Sequence, residues 1–290
     1  EDDGDVFMTG ARRLFLLAAY DPQGIVGEAL VWYAGKLSEC GDVVLAMDSD
    51  CPESELSKLS GVTLHCEACR HLEYDFGSYK RCHAWAEANL DLGSYDYLYL
   101  VNDSVYGPLS DILPSLEAME SLSVPAFSMV IHPAVDLPHL QSWFIGLSGQ
   151  VFMSRWFADF IRSVKRQPRK EDVCALYETG FCELLRSRDI LFRGLYSVSG
   201  KGIYDRVLRV FRSGVPFVKK SAFIRHNGCA GWQLRVILDS VDSEVRGVIR
   251  RDAERLYGRE YVERLLSCSP LQSFWRLVLY SLRKCRKKAR

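Results

Sequence analysis

Apolar runs of five or six residues recur over the first 130 positions. Each is stopped by polar or turn-forming residues and followed by a stretch with helical spacing. Leu14–Ala19 reads as a first buried strand and Val43–Met47 as a second. Val62–Cys66 is a shorter strand, and Tyr97–Val101 has the length and the aromatic and β-branched content of a strand covered on both faces. Helices are expected at Val26–Leu37, over the segment carrying Trp85, Ala86 and Ala88, and around Ile112–Met119. Strand and helix in alternation with short loops predict a nucleotide-binding α/β half with right-handed parallel crossovers. The turn Tyr20-Asp21-Pro22-Gln23-Gly24 and the stretch Asp48-Ser49-Asp50 follow the first two strands, so Asp21 and Asp48 should share one sheet edge.

The Tyr97–Val101 run stops at Asn102, Asp103 and Ser104 and then turns at Gly107-Pro108. Ligands of open α/β sheets bind beyond the carboxyl ends of the strands, where these three residues should stand. Two readings are open. All three side chains can cap a helix, or Asp103 is a hard oxygen ligand that helps hold a divalent cation, Mg²⁺ or Mn²⁺, on a nucleotide diphosphate.

Beyond Ala126–Ile131, a weaker strand, the parallel pattern breaks down. His139 to Leu147 is polar at its head and apolar behind. Helices are expected at Ser154–Val164 and Glu171–Arg186, parted by the basic loop Lys165–Lys170 with Pro168 inside it. Val236–Leu266 is charge-rich with apolar residues at helical steps (Val245, Val248, Ile249, Leu256, Val262, Leu265, Leu266), so it should pack as helices on the sheet domain or on a partner. Past Pro270, the residues Leu271, Phe274, Trp275, Val278, Leu279 and Leu282 recur on one helical face, flanked by Arg276 and Arg283, with no acidic residue in the segment. That segment is either a core-packing helix with a solvated basic tail or an interfacial helix lying on an anionic inner leaflet. The expected organisation is a disordered lead-in at 1–11, a catalytic domain at 12–228, a helical extension at 229–269 and a basic amphipathic helix at 270–290.

Composition narrows the class. With 290 residues, 48% of them hydrophobic and 26% charged, the chain has ample core. Its 37 basic and 37 acidic residues cancel, so there is no global field for nucleic acid. No run approaches the roughly 18 apolar residues that span a bilayer. The acidic residues Glu1 to Gly10 carry no signal-peptide pattern, and the ten scattered cysteines then read as reduced cytosolic thiols. Cys66, Cys69 and Cys82 lie near His65, His71 and His83, but a second well-spaced pair for zinc is missing.

Five ordered motifs resemble the rhamnan synthesis protein F family of bacterial polysaccharide glycosyltransferases, from about Arg13 to Asn227. They are Tyr74-Asp75-Phe76-Gly77-Ser78-Tyr79-Lys80, Asn102-Asp103-Ser104-Val105-Tyr106-Gly107-Pro108-Leu109, His139-Leu140-Gln141-Ser142-Trp143-Phe144, Tyr177-Glu178 and Pro216-Phe217-Val218-Lys219. The pattern departs at Glu73, where Gly would be expected, and at Ala126-Phe127-Ser128. The resemblance implies a glycosyltransferase-A-like (Rossmann-like) mixed sheet flanked by helices, with a helical C-terminal extension. It also implies a nucleotide-sugar donor (dTDP-, UDP- or GDP-linked), a lipid-linked glycan acceptor, and transfer of rhamnose or a related deoxyhexose, with inversion. An alternative is a catalytically silent scaffold that keeps the fold in a polysaccharide assembly complex. The expected setting is cytoplasmic, peripheral on the inner face of the membrane.

Such chemistry needs a neutralised leaving diphosphate, a base for the acceptor hydroxyl and a dry pocket. Asp21, Tyr74, Asp75, Gly77, Lys80, Asn102, Asp103, Ser104 and Lys219 are the expected donor-binding residues, with Lys220 and Arg225 as further cations. Asp103 and His226 are the expected metal ligands. Glu178, a carboxylate expected to be partly buried on a mostly apolar helix, is the favoured general base, with Asp75 second. His139 and Gln141 suit sugar hydroxyls. Trp143 suits a sugar ring or, equally, a plain core position.

Overall fold

The computed structural model describes residues 10–134 and 137–288, the side chains of 170 and 282–288 excepted. The expected lead-in therefore lies largely outside the described residues, as does the Leu282 and Arg283 part of the last amphipathic face. Among the described residues there are ten strands: β1 Arg13–Ala19, β2 Asp42–Met47, β3 His65–Ala68, β4 Tyr97–Asn102, β5 Val105–Tyr106, β6 Ala126–His132, β7 His139–Leu140, β8 Phe144–Ser148, β9 Phe192–Ser197 and β10 Val218–Lys219.

The main sheet runs β3-β2-β1-β4-β8-β6-β7, with β9 also paired to β6. β3, β2, β1 and β4 are parallel, while β8 is antiparallel to both β4 and β6. This is the mixed, helix-flanked sheet of the expected glycosyltransferase-A-like class. β1 is buried along its whole length because helices cover both faces. Phe15 and Leu17 face one core with the Glu28–Ser38 and Leu113–Glu120 helices. Leu14 and Leu16 face the other with the Tyr74–Asn89, Arg155–Arg162 and Gly180–Arg186 helices. Arg13, at the start of β1, is buried and makes two hydrogen bonds to Glu120, at 2.7 and 2.8 Å, so no lone charge is left in the core.

The third strand lies three residues later than its apolar content predicts. Leu64 stays half exposed while His65–Ala68 pairs with β2. β9 was not anticipated, since Phe192–Ser197 is half buried with no alternation. Gly194 lets it close on β6, for a Cβ there would meet the Ile131 side chain at 2.5 Å.

At the C-terminal end, the Gly231–Ser240, Ser243–Tyr257 and Arg259–Leu266 helices share a third core with Ala29 and Trp32 of the first helix. No described helix is long and apolar enough to cross a membrane. Cys82 is buried, with its thiol pushed up by that burial, and Cys66 points its thiol at the Leu56 carbonyl while Cys69 is exposed. Among the described residues, no three His, Cys, Asp or Glu gather as metal ligands.

Candidate active site

Parallel pairing brings Ala19 level with Met47 and Ala18 level with Asn102. The residues just past these strands therefore meet at one edge. Asp48 N–H donates to the Ala19 carbonyl and Asp103 N–H to the Ala18 carbonyl, at 2.9 and 3.0 Å, which carries the ladder one step into the loops. A cavity of about 820 Å³ opens there. It reaches from Asp21 and Asp48 through Asn102, Asp103 and Ser104 to Gln141, Ser142, Trp143 and Glu178. Lys219, Lys220, Asp252, Arg255 and Tyr257 complete its lining.

The Asn102-Asp103-Ser104 and Pro216-Phe217-Val218-Lys219 motifs are joined by the β5–β10 pair, Val105 opposite Lys219 and Tyr106 opposite Val218. Gly107 makes this possible. Its φ of 141° and the Phe217 ring, 2.6 Å from where a Cβ would stand, leave no room for a side chain. Lys219 Nζ donates to Ser104 Oγ (2.9 Å), Ser104 Oγ donates to Asn102 Oδ1 (2.5 Å), and Asn102 Nδ2 donates to Asp75 Oδ2 (2.9 Å). One hydrogen-bonded chain thus links four of the expected donor-site residues. Lys220 Nζ lies 3.2 Å from Asp103 Oδ2. Burial lifts the Asp103 carboxyl above the ordinary aspartate range, against the pull of the Lys220 ammonium.

Asp21 and Asp48 line the same cavity, but both carboxylates organise loops. Asp21 Oδ1 accepts the Gln23 and Ile25 amides, and Oδ2 pairs with Arg255 at 2.8 Å. Asp48 Oδ1 accepts the His71 and Leu72 amides and pairs with Arg70 at 2.8 Å. Tyr74 stands at the rim, 41% exposed, with φ of 58°.

Glu178 is the fifth residue of a six-residue π-helical stretch, Cys174–Thr179, a wound-open turn of the kind that re-aims side chains at functional sites. The half-buried carboxylate accepts the Ser142 amide at 3.3 Å. Tyr177, beside it, is held by its hydroxyl on the Lys165 and Gln167 nitrogens. Gln141 is buried and accepts the Trp143 indole N–H at 3.1 Å. Trp143 is itself buried among Phe144 and Phe217, with Lys219 Nζ 5.2 Å from its ring centre. Trp143 therefore lines the cavity with little of its ring exposed, and it backs the lysine.

Four expected site residues are not brought to the cavity. Gly77 makes room for the Glu73 side chain and His71, since a Cβ would stand 2.2 Å from Glu73 Cβ. Lys80 is held by Glu73 and by the Val164 carbonyl, which draws it away from the cavity lining. His139 stacks on His132 at 4.9 Å, on the β6–β7 edge. His226 lies 3.5 Å from Asp205 and against Tyr280, so it does not join Asp103 in a metal shell. Arg225 is likewise paired with Asp205, at 2.7 Å.

Asp252 and Arg255 were missed. The sequence signal was a gap in the apolar stripe: Asp252 falls four residues after Val248 and three after Ile249, on the buried face, where a charge is costly unless paired. Arg255 pairs with it at 3.1 Å and reaches on to Asp21, fastening the helical extension to the loop after β1. His71, noted in the sequence only beside the cysteines, lies between the cavity-lining Arg70 and Leu72. Its Nδ1 accepts the Glu73 amide and its Nε2 lies 3.1 Å from Ser78 Oγ, which fixes the neutral tautomer, and burial pulls its pKa down to about 4.

A family model described as rhamnan synthesis protein F matches residues 43–263. Among solved structures, a provisionally assigned nucleotide-diphospho-sugar transferase from Desulfovibrio desulfuricans G20 is similar at 17% identity and a TM-score of 0.42, over 87% of this chain and 98% of that one. The mannosyltransferase Ktr4p of S. cerevisiae (6% identity, TM-score 0.33) and core-mannan synthase A of Aspergillus fumigatus in its Mn/GDP form (10%, 0.30) match 52% and 55% of this chain, and 59% and 65% of their own. No curated protein matches.

Proposed function

The chain belongs to the rhamnan synthesis protein F family and so to the glycosyltransferase class, and on that premise we propose that it moves a deoxyhexose, rhamnose or a close relative, from a nucleotide-diphosphate donor onto a lipid-linked polysaccharide precursor. The observation that carries this reading is the hydrogen-bonded chain Lys219–Ser104–Asn102–Asp75 in the lining of the cavity that Glu178 also lines.

The roles follow from charge. A departing nucleoside diphosphate needs fixed cations, and Lys219 and Lys220 are two ammonium groups on adjacent residues, each already oriented by an oxygen of the Asn102-Asp103-Ser104 stretch. Asp75, tied to Asn102, is suited to orient donor hydroxyls. Glu178, with the Ser142 amide fixing one oxygen, takes the proton from the attacking acceptor hydroxyl, in a single displacement that inverts the sugar centre. Gln141 and Ser142 stand beside it on the acceptor side.

A divalent cation fits as an addition to this set. Mg²⁺ or Mn²⁺ is commonly held by one carboxylate plus substrate phosphates, and Asp103 is the residue that would hold it. When bound, it would supply further neutralisation of the leaving diphosphate. The test is nucleotide release from dTDP-, UDP- and GDP-sugars with a lipid-linked acceptor, with and without excess chelator. Release with one donor, dependent on acceptor, is expected. Release from none, with any acceptor, would favour a silent scaffold. Full activity in chelator would assign the diphosphate to Lys219 and Lys220 alone.

A further inference from the structure

The helix Pro270–Lys288 is mounted with its apolar face outward. Ser269 caps its start, its Oγ accepting the Gln272 amide while Gln272 Oε1 accepts the Ser269 amide. The side turned to the protein is polar. Ser273 is buried, Arg276 donates to the Asn227 carbonyl at 3.4 Å, and the Tyr280 ring lies 4.4 Å from His226. On the opposite side Leu271, Phe274, Trp275 and Leu279 are each between 50 and 66% exposed. A helix that served the core would be turned the other way.

We propose that this face is a membrane-contact surface, which seats its aromatic and leucine side chains in the headgroup boundary of a bilayer rich in anionic lipid. Charge selects that occupant. Residues 270–290 contain seven Arg or Lys (Arg276, Arg283, Lys284, Arg286, Lys287, Lys288, Arg290) and no Asp or Glu, in a chain whose total charge is zero. Basic residues beside an exposed apolar helical face bind anionic headgroups by two additive terms. A second copy docked through the same face would bring two such basic segments together and repel. The helix is anchored on the turn Arg225–Asn227, one residue from Ile224, which lines the cavity. A bilayer held by the helix would therefore lie near the cavity rim, which suits a lipid-linked acceptor, though the surface itself does not depend on the reading of the cavity.

The test is co-sedimentation of the intact chain with phosphatidylcholine vesicles, with and without about one third phosphatidylglycerol, at low and high salt. Binding to the anionic vesicles at low salt is expected, weakened at least about tenfold by removing the anionic lipid or raising the salt. The double variant Phe274→Ser, Trp275→Ser should lose at least about tenfold in partitioning, with its melting temperature unchanged because both side chains are exposed. Failure of the intact chain to bind anionic vesicles at low salt, or equal binding by the variant, overturns the proposal. A concentration-dependent doubling of mass without lipid, abolished by the same variant, would make a second copy the occupant and overturn it too. Nucleotide release measured on the unchanged chain in the same preparation separates this outcome from a failure of the enzymatic reading.

Discussion

The two halves of the sheet meet at β4 and supply the cavity by different means. In the parallel half, β3-β2-β1-β4, every strand runs toward the cavity, and its polar groups arrive as strand-end residues: Asp21, Asp48, Asn102, Asp103 and Ser104. In the antiparallel half the cavity residues come from the β7–β8 turn and from a π-helical stretch far away in the sequence. Parallel pairing fixes where strand ends go, whereas a turn and an irregular helix are placed by contacts such as Ser142 on Glu178. On the proposed chemistry the parallel half handles the donor and the antiparallel half the acceptor. Substitutions should split accordingly, donor binding on one side and turnover on the other.

The largest effect should come from the antiparallel half. Glu178→Gln keeps the shape and removes the base, and turnover should fall by roughly a hundred- to ten-thousandfold with donor affinity intact. Steady-state turnover together with donor titration checks both parts. Loss of donor binding instead would erase the division of labour, and a dead Asp75→Asn beside an active Glu178→Gln would move the base to the parallel half.

Asp103→Asn tests that half directly. It removes the charge facing Lys220 without removing volume, and should weaken donor binding or turnover by about 2 kcal/mol or somewhat more. Unchanged donor affinity and turnover would mean that the carboxylate only parks the lysine. Asp103→Asn measured with and without Mn²⁺ also reports whether the cation sits on this residue.

The parallel half should also carry an acid sensitivity, centred on His71. His71 is neutral and buried, with its pKa lowered to about 4 by desolvation, against the attraction of Asp48. The unfolded chain binds a proton at this position near pH 6.5 and the folded chain only near 4. Stability attributable to His71 is therefore complete above pH 6.5 and is lost as pH falls from there toward 4, by about 2 to 3 kcal/mol. Denaturant unfolding of the parent and of His71→Gln at pH 7.5, 6, 5 and 4.5 should show a shallower decline in the variant. Parallel declines would place the acid-sensitive group elsewhere.

The same contrast explains what could be read from sequence. β1, β2 and β4 are continuous apolar runs, since both faces are covered, and the carboxylates that follow them were assigned to the cavity edge without any coordinates. β9, half exposed and without alternation, has no such signal. Asp252 and Arg255 enter from a helix whose charges looked like an ordinary solvated face, and only the break in its apolar stripe marked them. Gly77, Lys80 and His139 were drawn in by motif membership and His226 by its metal-ligating ring, and neither motif proximity nor residue type fixes side-chain direction. The turn at Tyr74, with positive φ, starts the helix so that Asp75 reaches Asn102 while Gly77 and Lys80 face Glu73.

Lys80 gives the smallest and sharpest test of that distinction. Its ammonium bonds Glu73 at 2.9 Å and the Val164 carbonyl at 2.7 Å, so it ties the Tyr74–Asn89 helix to the start of the basic loop. Glu73 keeps Arg81 at 2.7 Å when the lysine is gone. Lys80→Met therefore strands one carbonyl and leaves the carboxylate paired, at a cost of about 1 kcal/mol in stability. Donor affinity should stay within about twofold of the parent, well under the tenfold that 1.4 kcal/mol would bring. Thermal unfolding and donor calorimetry on the one variant read the two quantities separately. A tenfold loss of donor affinity would show that the donor face of the parallel half extends along this helix, and that the Glu73 pairing gives way when the nucleotide sugar binds.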